Sequence, residues 1–102
     1  MRIILTTTPT AYEAEILAEK IIEAKLAACV QILPQMTSVY VWQGKVQKEG
    51  EHLMLIKTLP EKWEELGDFI TANHSYDIPE IVAIDTKQVS ESYLAWVKAS
   101  LE

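Results

Sequence analysis

Four side chains in this sequence stand out as candidates for divalent-metal chemistry: Cys29, His52, His74 and, three residues past the last, Asp77. A neutral imidazole with a carboxylate close by suits Cu(II) and similar ions, and a thiolate suits softer ones. No HxxxH, CxxC or HExxH spacing gathers them. A metal site therefore has to be assembled by the fold or shared between copies. Each residue also has a plainer reading. Cys29 opens an apolar run, where cysteine acts as a small buried hydrophobe. His74 follows a helix that it could cap, or it could bond a backbone carbonyl. His52 falls in a turn region and reads as solvated.

A second group is aromatic. Tyr40 and Trp42 stand two apart and so share one face of an extended segment, and Tyr93 and Trp96 lie near the end of the chain. On a strand reaching beyond its own subunit, Tyr40 and Trp42 would line a cleft between subunits, a frequent setting for small-molecule sites. Lys45, Glu51, Lys57 and Glu80 would supply the convergent charges. The plainer reading is that these aromatics fill an interface between copies. No nucleophile–base pair and no glycine-rich phosphate loop is evident, which argues against an enzyme.

Composition narrows the classes further. A chain of 102 residues is read as one domain, 1–102. A hydrophobic fraction of 49% with 24% charged residues fits a soluble globular protein. The net charge of −6 opposes broad contact with a phosphate backbone, so no nucleic-acid partner is expected. A single cysteine cannot make an internal disulfide, and no run approaches the length of a membrane span. A cytoplasmic protein with no membrane partner is the expectation.

These residues need elements to position them. Arg2 to Thr8 reads as a buried strand. Thr10 and Glu13 have capping-box spacing, and Ala14, Leu17, Ala18, Ile21, Ile22 and Leu26 form one helical stripe. Leu26 to Thr58 reads as two long arms, bent at Pro34, with Gln47-Lys48-Glu49-Gly50-Glu51 as the turn and Gly50 left-handed. Thr58 and Glu61 bracket a second helix start at Pro60, and Gly67 inside that helix suggests close packing against it. Glu80 to Asp85 reads as a strand, and Ser90 as the cap of a final helix. This order predicts an α+β, ferredoxin-like fold, βαββαβ plus a C-terminal helix: an antiparallel sheet with both main helices on one face. The other face, and the long apolar arms, call for self-association.

Five ordered blocks resemble the CutA divalent-cation tolerance proteins across nearly the whole chain. They are Leu26-Ala27-Ala28-Cys29-Val30, Ser38-Val39-Tyr40-Val41-Trp42-Gln43-Gly44-Lys45, Lys57-Thr58, His74-Ser75-Tyr76-Asp77-Ile78-Pro79-Glu80-Ile81 and Tyr93-Leu94-Ala95-Trp96. The resemblance implies a cytoplasmic, PII-like homotrimer that responds to metal ions, binds copper (Cu2+) or another divalent cation, and has no enzymatic reaction. The alternative it leaves open is a PII-like signalling module that holds small molecules in intersubunit clefts. Family members typically read His-Pro-Tyr where this chain has His74-Ser75-Tyr76. Some bacterial members use metal ligands at positions matched here by Thr6, Asn73 and His74, and of these His74 keeps a good ligand atom.

Overall fold

A computed structural model describes all 102 residues. Strand β1 (Arg2–Thr8) is followed by helix α1 (Ala11–Glu23), strands β2 (Cys29–Ile32), β3 (Met36–Trp42) and β4 (Lys45–Thr58), helix α2 (Trp63–Asn73), strand β5 (Val82–Asp85) and helix α3 (Glu91–Ser100). The sheet runs β2-β4-β1-β5 with every neighbour antiparallel, the ferredoxin-like order, and β3 pairs with the outer half of β4.

Alternation decides which face is buried. Ile4, Met54 and Ile56 point to one side and close on Ala14, Leu17, Ala18 and Ile21 of α1 and Leu66 and Ile70 of α2. Both main helices therefore cover the same face. Thr10 caps α1, its Oγ1 accepting from the Glu13 amide at 3.1 Å. The helix ends in a Schellman motif: Lys25 takes φ 56°, its amide donates to Ile22 O, and the Leu26 amide donates to Ile21 O. The opposite face carries Ile3, Leu5, Leu53, Leu55, Val82 and Ile84, the last two nearly half exposed. Lys57 lies on that face too, and its Nζ sits 5.4 Å from the centroid of the Tyr93 ring, so α3 flanks it. An Arg2–Asp85 ion pair at 2.6 Å ties β1 to β5 at the edge.

Several local expectations are corrected. The hairpin turn is not at Gly50. It is Gln43-Gly44, with φ 52° and 79°, the two-residue turn whose twist matches antiparallel strands. Gln47 to Glu51 are mid-strand, and a Cβ at Gly50 would run into the Gln35 carboxamide. His52 is consequently a half-buried strand residue whose Nδ1 lies 3.1 Å from Leu33 O, not a solvated turn residue. Thr58 does not cap α2. Fully buried, it donates its hydroxyl to Leu26 O at 2.7 Å, while Pro60–Lys62 makes a 3-10 turn into the helix. Ser90 stands at the N-terminus of α3 without a side-chain cap, and nothing lies within 4 Å of a Cβ at Gly67.

The bend at Pro34 is present, since pairing breaks between Ile32 and Met36. Beyond it the β3–β4 ribbon leaves the body of the domain. The long axis reaches 45 Å and the radius of gyration is 14.2 Å, against about 13 Å for a compact chain of this length. Val39, Val41 and Val46 on one side of the ribbon are 61–68% exposed.

Candidate functional site

The register of the ribbon sets its second face. Met36 pairs with Glu51, Ser38 with Glu49, Tyr40 with Gln47 and Trp42 with Lys45, so one side presents alternating hydroxyl, aromatic and carboxylate groups. At the root of this face, the Ser75–Glu80 loop stands opposite the strands. Between them lies an open groove of about 770 Å³ whose lining includes Tyr40, Trp42, Glu49, Glu51, Asp77 and Glu80. No lysine, arginine or histidine lines it.

Hydrogen bonds made by His74 and Tyr76, two residues apart, hold the loop in place. His74 Nε2 donates to Thr7 O at 2.7 Å, and His74 Nδ1 accepts from the Tyr76 amide at 3.0 Å. A carbonyl only accepts and a backbone N–H only donates, so this pattern requires the neutral imidazole protonated on Nε2. The Tyr76 hydroxyl then donates to Glu51 Oε2 at 2.9 Å, and its ring lies tilted against His74 at 4.9 Å. Glu51 is only 8% exposed. Burial first, and then the hydrogen bond to Glu51, push the Tyr76 phenol above its ordinary range. Glu49 beside Tyr40 raises that phenol as well.

The groove within one copy thus takes in Tyr40, Trp42, Glu51, Asp77 and Glu80 from the sequence reading. Lys45 is outside it, although it flanks Trp42 on the same ribbon face. Lys57 shares the strand face but stands six residues along β4 from Glu51, roughly 20 Å away, and stacks on Tyr93 instead. Glu49 and Tyr76 were not singled out from sequence. Glu49 shares parity with Glu51, so a correct hairpin register would have found it. Tyr76 reaches Glu51 across 25 positions, and only its place in a recognised block marks it.

The donor atoms proposed for a metal do not come together in one copy. Cys29 is a half-buried free thiol at the start of β2, paired in register with Lys57. His74 and Asp77 belong to the loop, and no three His, Cys, Asp or Glu side chains form a group that could hold a metal. Both His74 nitrogens are engaged, so a metal at either one would displace a bond that orders the loop.

Residues 2–100 match the family model described as CutA1 divalent ion tolerance protein. The chain is similar to the chloroplastic protein CutA of Arabidopsis thaliana, 43% identical over 96% of this chain and 54% of that protein. It is 38% identical to the divalent-cation tolerance protein CutA of Thermus thermophilus, over 94% of this chain and 93% of that one. It spans about half the length of the plant and human relatives it matches. Among solved structures, the periplasmic divalent cation tolerance protein CutA of Archaeoglobus fulgidus superposes with a TM-score of 0.96 at 38% identity, covering 100% of both chains. CutA1 from Pyrococcus horikoshii superposes at 0.94 with 33% identity, over 98% of this chain and 97% of that one.

Proposed function

The chain belongs to the CutA1 divalent ion tolerance family, a non-catalytic one, and from that premise we propose that it serves divalent-cation tolerance as a homotrimer that binds copper or a related ion. The observation that carries the assembly is the apolar surface one copy leaves in water. Val39, Val41 and Val46 line one side of the ribbon, Trp42 is half exposed on the other, and Val82 and Ile84 lie open on the sheet. Exposed strands with such side chains are templates for pairing with another copy. Three copies is the number the family resemblance implies.

The cation reading rests on the family and on an acidic chain of net charge −6. His74 and Asp77 are its first ligands to test. Light scattering should give three chains per particle, and Val41→Lys should lower that mass. Calorimetric titration with Cu(II) should show uptake that His74→Ala weakens. Unchanged affinity removes His74 from the site, and a monomer at micromolar concentration removes the assembly.

A second reading is favoured by the groove itself. Its volume and its Tyr40 and Trp42 walls suit a small organic molecule better than a bare ion. A thermal-shift screen of metabolites should give a hit that Trp42→Ala abolishes.

A further inference from the structure

We propose that the pocket between α1 and the corner that follows α2 binds a short aliphatic amino acid with its charges at opposite ends, the ammonium on Glu13 and the carboxylate on Lys20. The pocket lies apart from the ribbon groove, and the proposal goes beyond both readings above.

Glu13 is the group that calls for a ligand. It stands three residues after the cap Thr10, and one half of a capping box forms, the Glu13 amide donating to Thr10 Oγ1. Its side chain lines the pocket, and Oε2, shut off from solvent, has no hydrogen-bond donor. The helix dipole favours a negative charge in this first turn without supplying that donor. A buried acceptor left so is costly. A carboxylate oxygen only accepts, and its strongest partner is a cationic donor such as an ammonium group.

The rest of the pocket decides what carries the ammonium. Its volume is about 220 Å³, below the range of drug-sized sites, so its occupant is small. Ile16 and Leu17 give it apolar lining, and Lys20 lies two turns beyond Glu13 on the same side of α1. Lys20 makes no ion pair. The other polar groups are engaged: the Thr8 hydroxyl donates to Thr10 O, Asn73 Nδ2 to Phe69 O, and both His74 nitrogens hold the loop. One free charge of each sign therefore remains, about 10.5 Å apart at Cα by helix rise, with the lysine stem leaning back toward Glu13. An ammonium and a carboxylate separated by about three to five methylenes span that gap over the apolar lining. An amino acid with both charges on one carbon meets one end only.

Assembly leaves the pocket open. The surfaces that call for other copies are the ribbon valines and the open face of the sheet, and both main helices cover the opposite face. The exposed side of α1 carries Glu15, Glu19 and Glu23, and charged side chains are depleted from interface cores.

The test is calorimetric titration of the intact protein, in whatever assembly it forms, with 5-aminopentanoate, beside pentylamine and pentanoate, which each keep one charge. The expected result is one 5-aminopentanoate per copy, weakened about tenfold by Glu13→Gln and several-fold by Lys20→Gln. Each single-charge analogue should bind at least about tenfold more weakly. Glu15→Gln, which removes an equal charge from the exposed side of the same helix, should stay within about twofold. Near-ultraviolet circular dichroism confirms that each variant is folded. Absence of binding overturns the proposal, as when a second copy closes the pocket. So does equal weakening by Glu15→Gln, or a single-charge analogue that binds as tightly. Glu13 and Lys20 belong neither to the ribbon groove nor to the His74 cation reading, so failure here leaves those readings standing and their failure leaves this pocket standing.

Discussion

Replacing Tyr76 by phenylalanine removes one oxygen and tests how the loop is held to the ribbon. The phenol donates to Glu51 Oε2 at 2.9 Å, and Glu51 is 8% exposed, so water has little access to replace the lost donor. A hydrogen bond to an ionised group contributes about 1.5–3 kcal/mol, and leaving the charge without it costs in the same range. Phenylalanine keeps the ring against His74, so little packing is lost. We expect Tyr76→Phe to destabilise by about 2 kcal/mol, which moves a urea midpoint by roughly 1 M for a chain this size. Glu51→Gln, neutral and close in shape, should cost about 1 kcal/mol, and the double variant should fall short of the sum by about 1 kcal/mol because the two share one bond. Urea unfolding at matched chain concentration measures all four forms, since association adds its own concentration dependence. A loss below about 0.5 kcal/mol, or an additive cycle, would refute the reasoning, because the bond would then be exchanging freely with water.

The other expectations follow from single positions. Tyr76 holds its proton more tightly when folded, so stability is whole below the ordinary phenol pKa near 10 and falls as pH rises beyond it, by at most about 1.4 kcal/mol per pH unit and less where solvent screens Glu51; Tyr76→Phe should flatten that limb in alkaline unfolding curves. Gly67→Ala should stabilise by about 1 kcal/mol in thermal melts, because a Cβ there meets open space and the residue is inside α2. Gln43→Asn should also stabilise, by a few tenths of a kcal/mol, since asparagine tolerates the left-handed φ of 52° better; an unchanged melting temperature would count against the turn geometry. Ser75→Pro should gain about 0.4–1 kcal/mol. His74 before it is already extended at φ −102°, ψ 146°, as a residue preceding proline must be, and the Ser75 amide donates no hydrogen bond.

What was legible in the sequence is what has a periodic or local signature. Helix α1 announced itself through Thr10, Glu13 and the stripe from Ala14 to Ile21, all placed as read; the helix ends at Glu23, so Leu26 is buried beyond it, and Ile22 is 40% exposed. The ribbon did not, for a physical reason. Beyond Met36 it leaves the core, so neither face needs to alternate apolar with polar, and Gln47 to Glu51 look like a turn by composition while lying mid-strand. The real turn, Gln43-Gly44, hides between Trp42 and Lys45 because its signal is a single glycine. Tyr40 and Trp42 share a face because a spacing of two fixes one, whereas Glu51 comes to that face only through its pairing with Met36. Lys57 has the parity of Glu51 on β4, and parity gives the face but not the distance along it.

His74 and Ser75 show why the loop had to be seen in three dimensions. Proline at the second position would restrict the backbone by itself, and this chain has serine there. The restraint comes instead from outside the loop: Thr7 O and the Tyr76 amide engage both imidazole nitrogens, and Glu51 engages the phenol two residues on. Those bonds order the segment that carries Asp77 and Glu80 into the groove. A metal ion taking either His74 nitrogen must release one tether, so cation uptake at His74 and an ordered groove are opposed states of the same loop. The two readings of this protein's function are then coupled. Ligand that packs into the ordered groove disfavours metal at His74, and metal at His74 weakens the groove by an equal factor, as linkage requires.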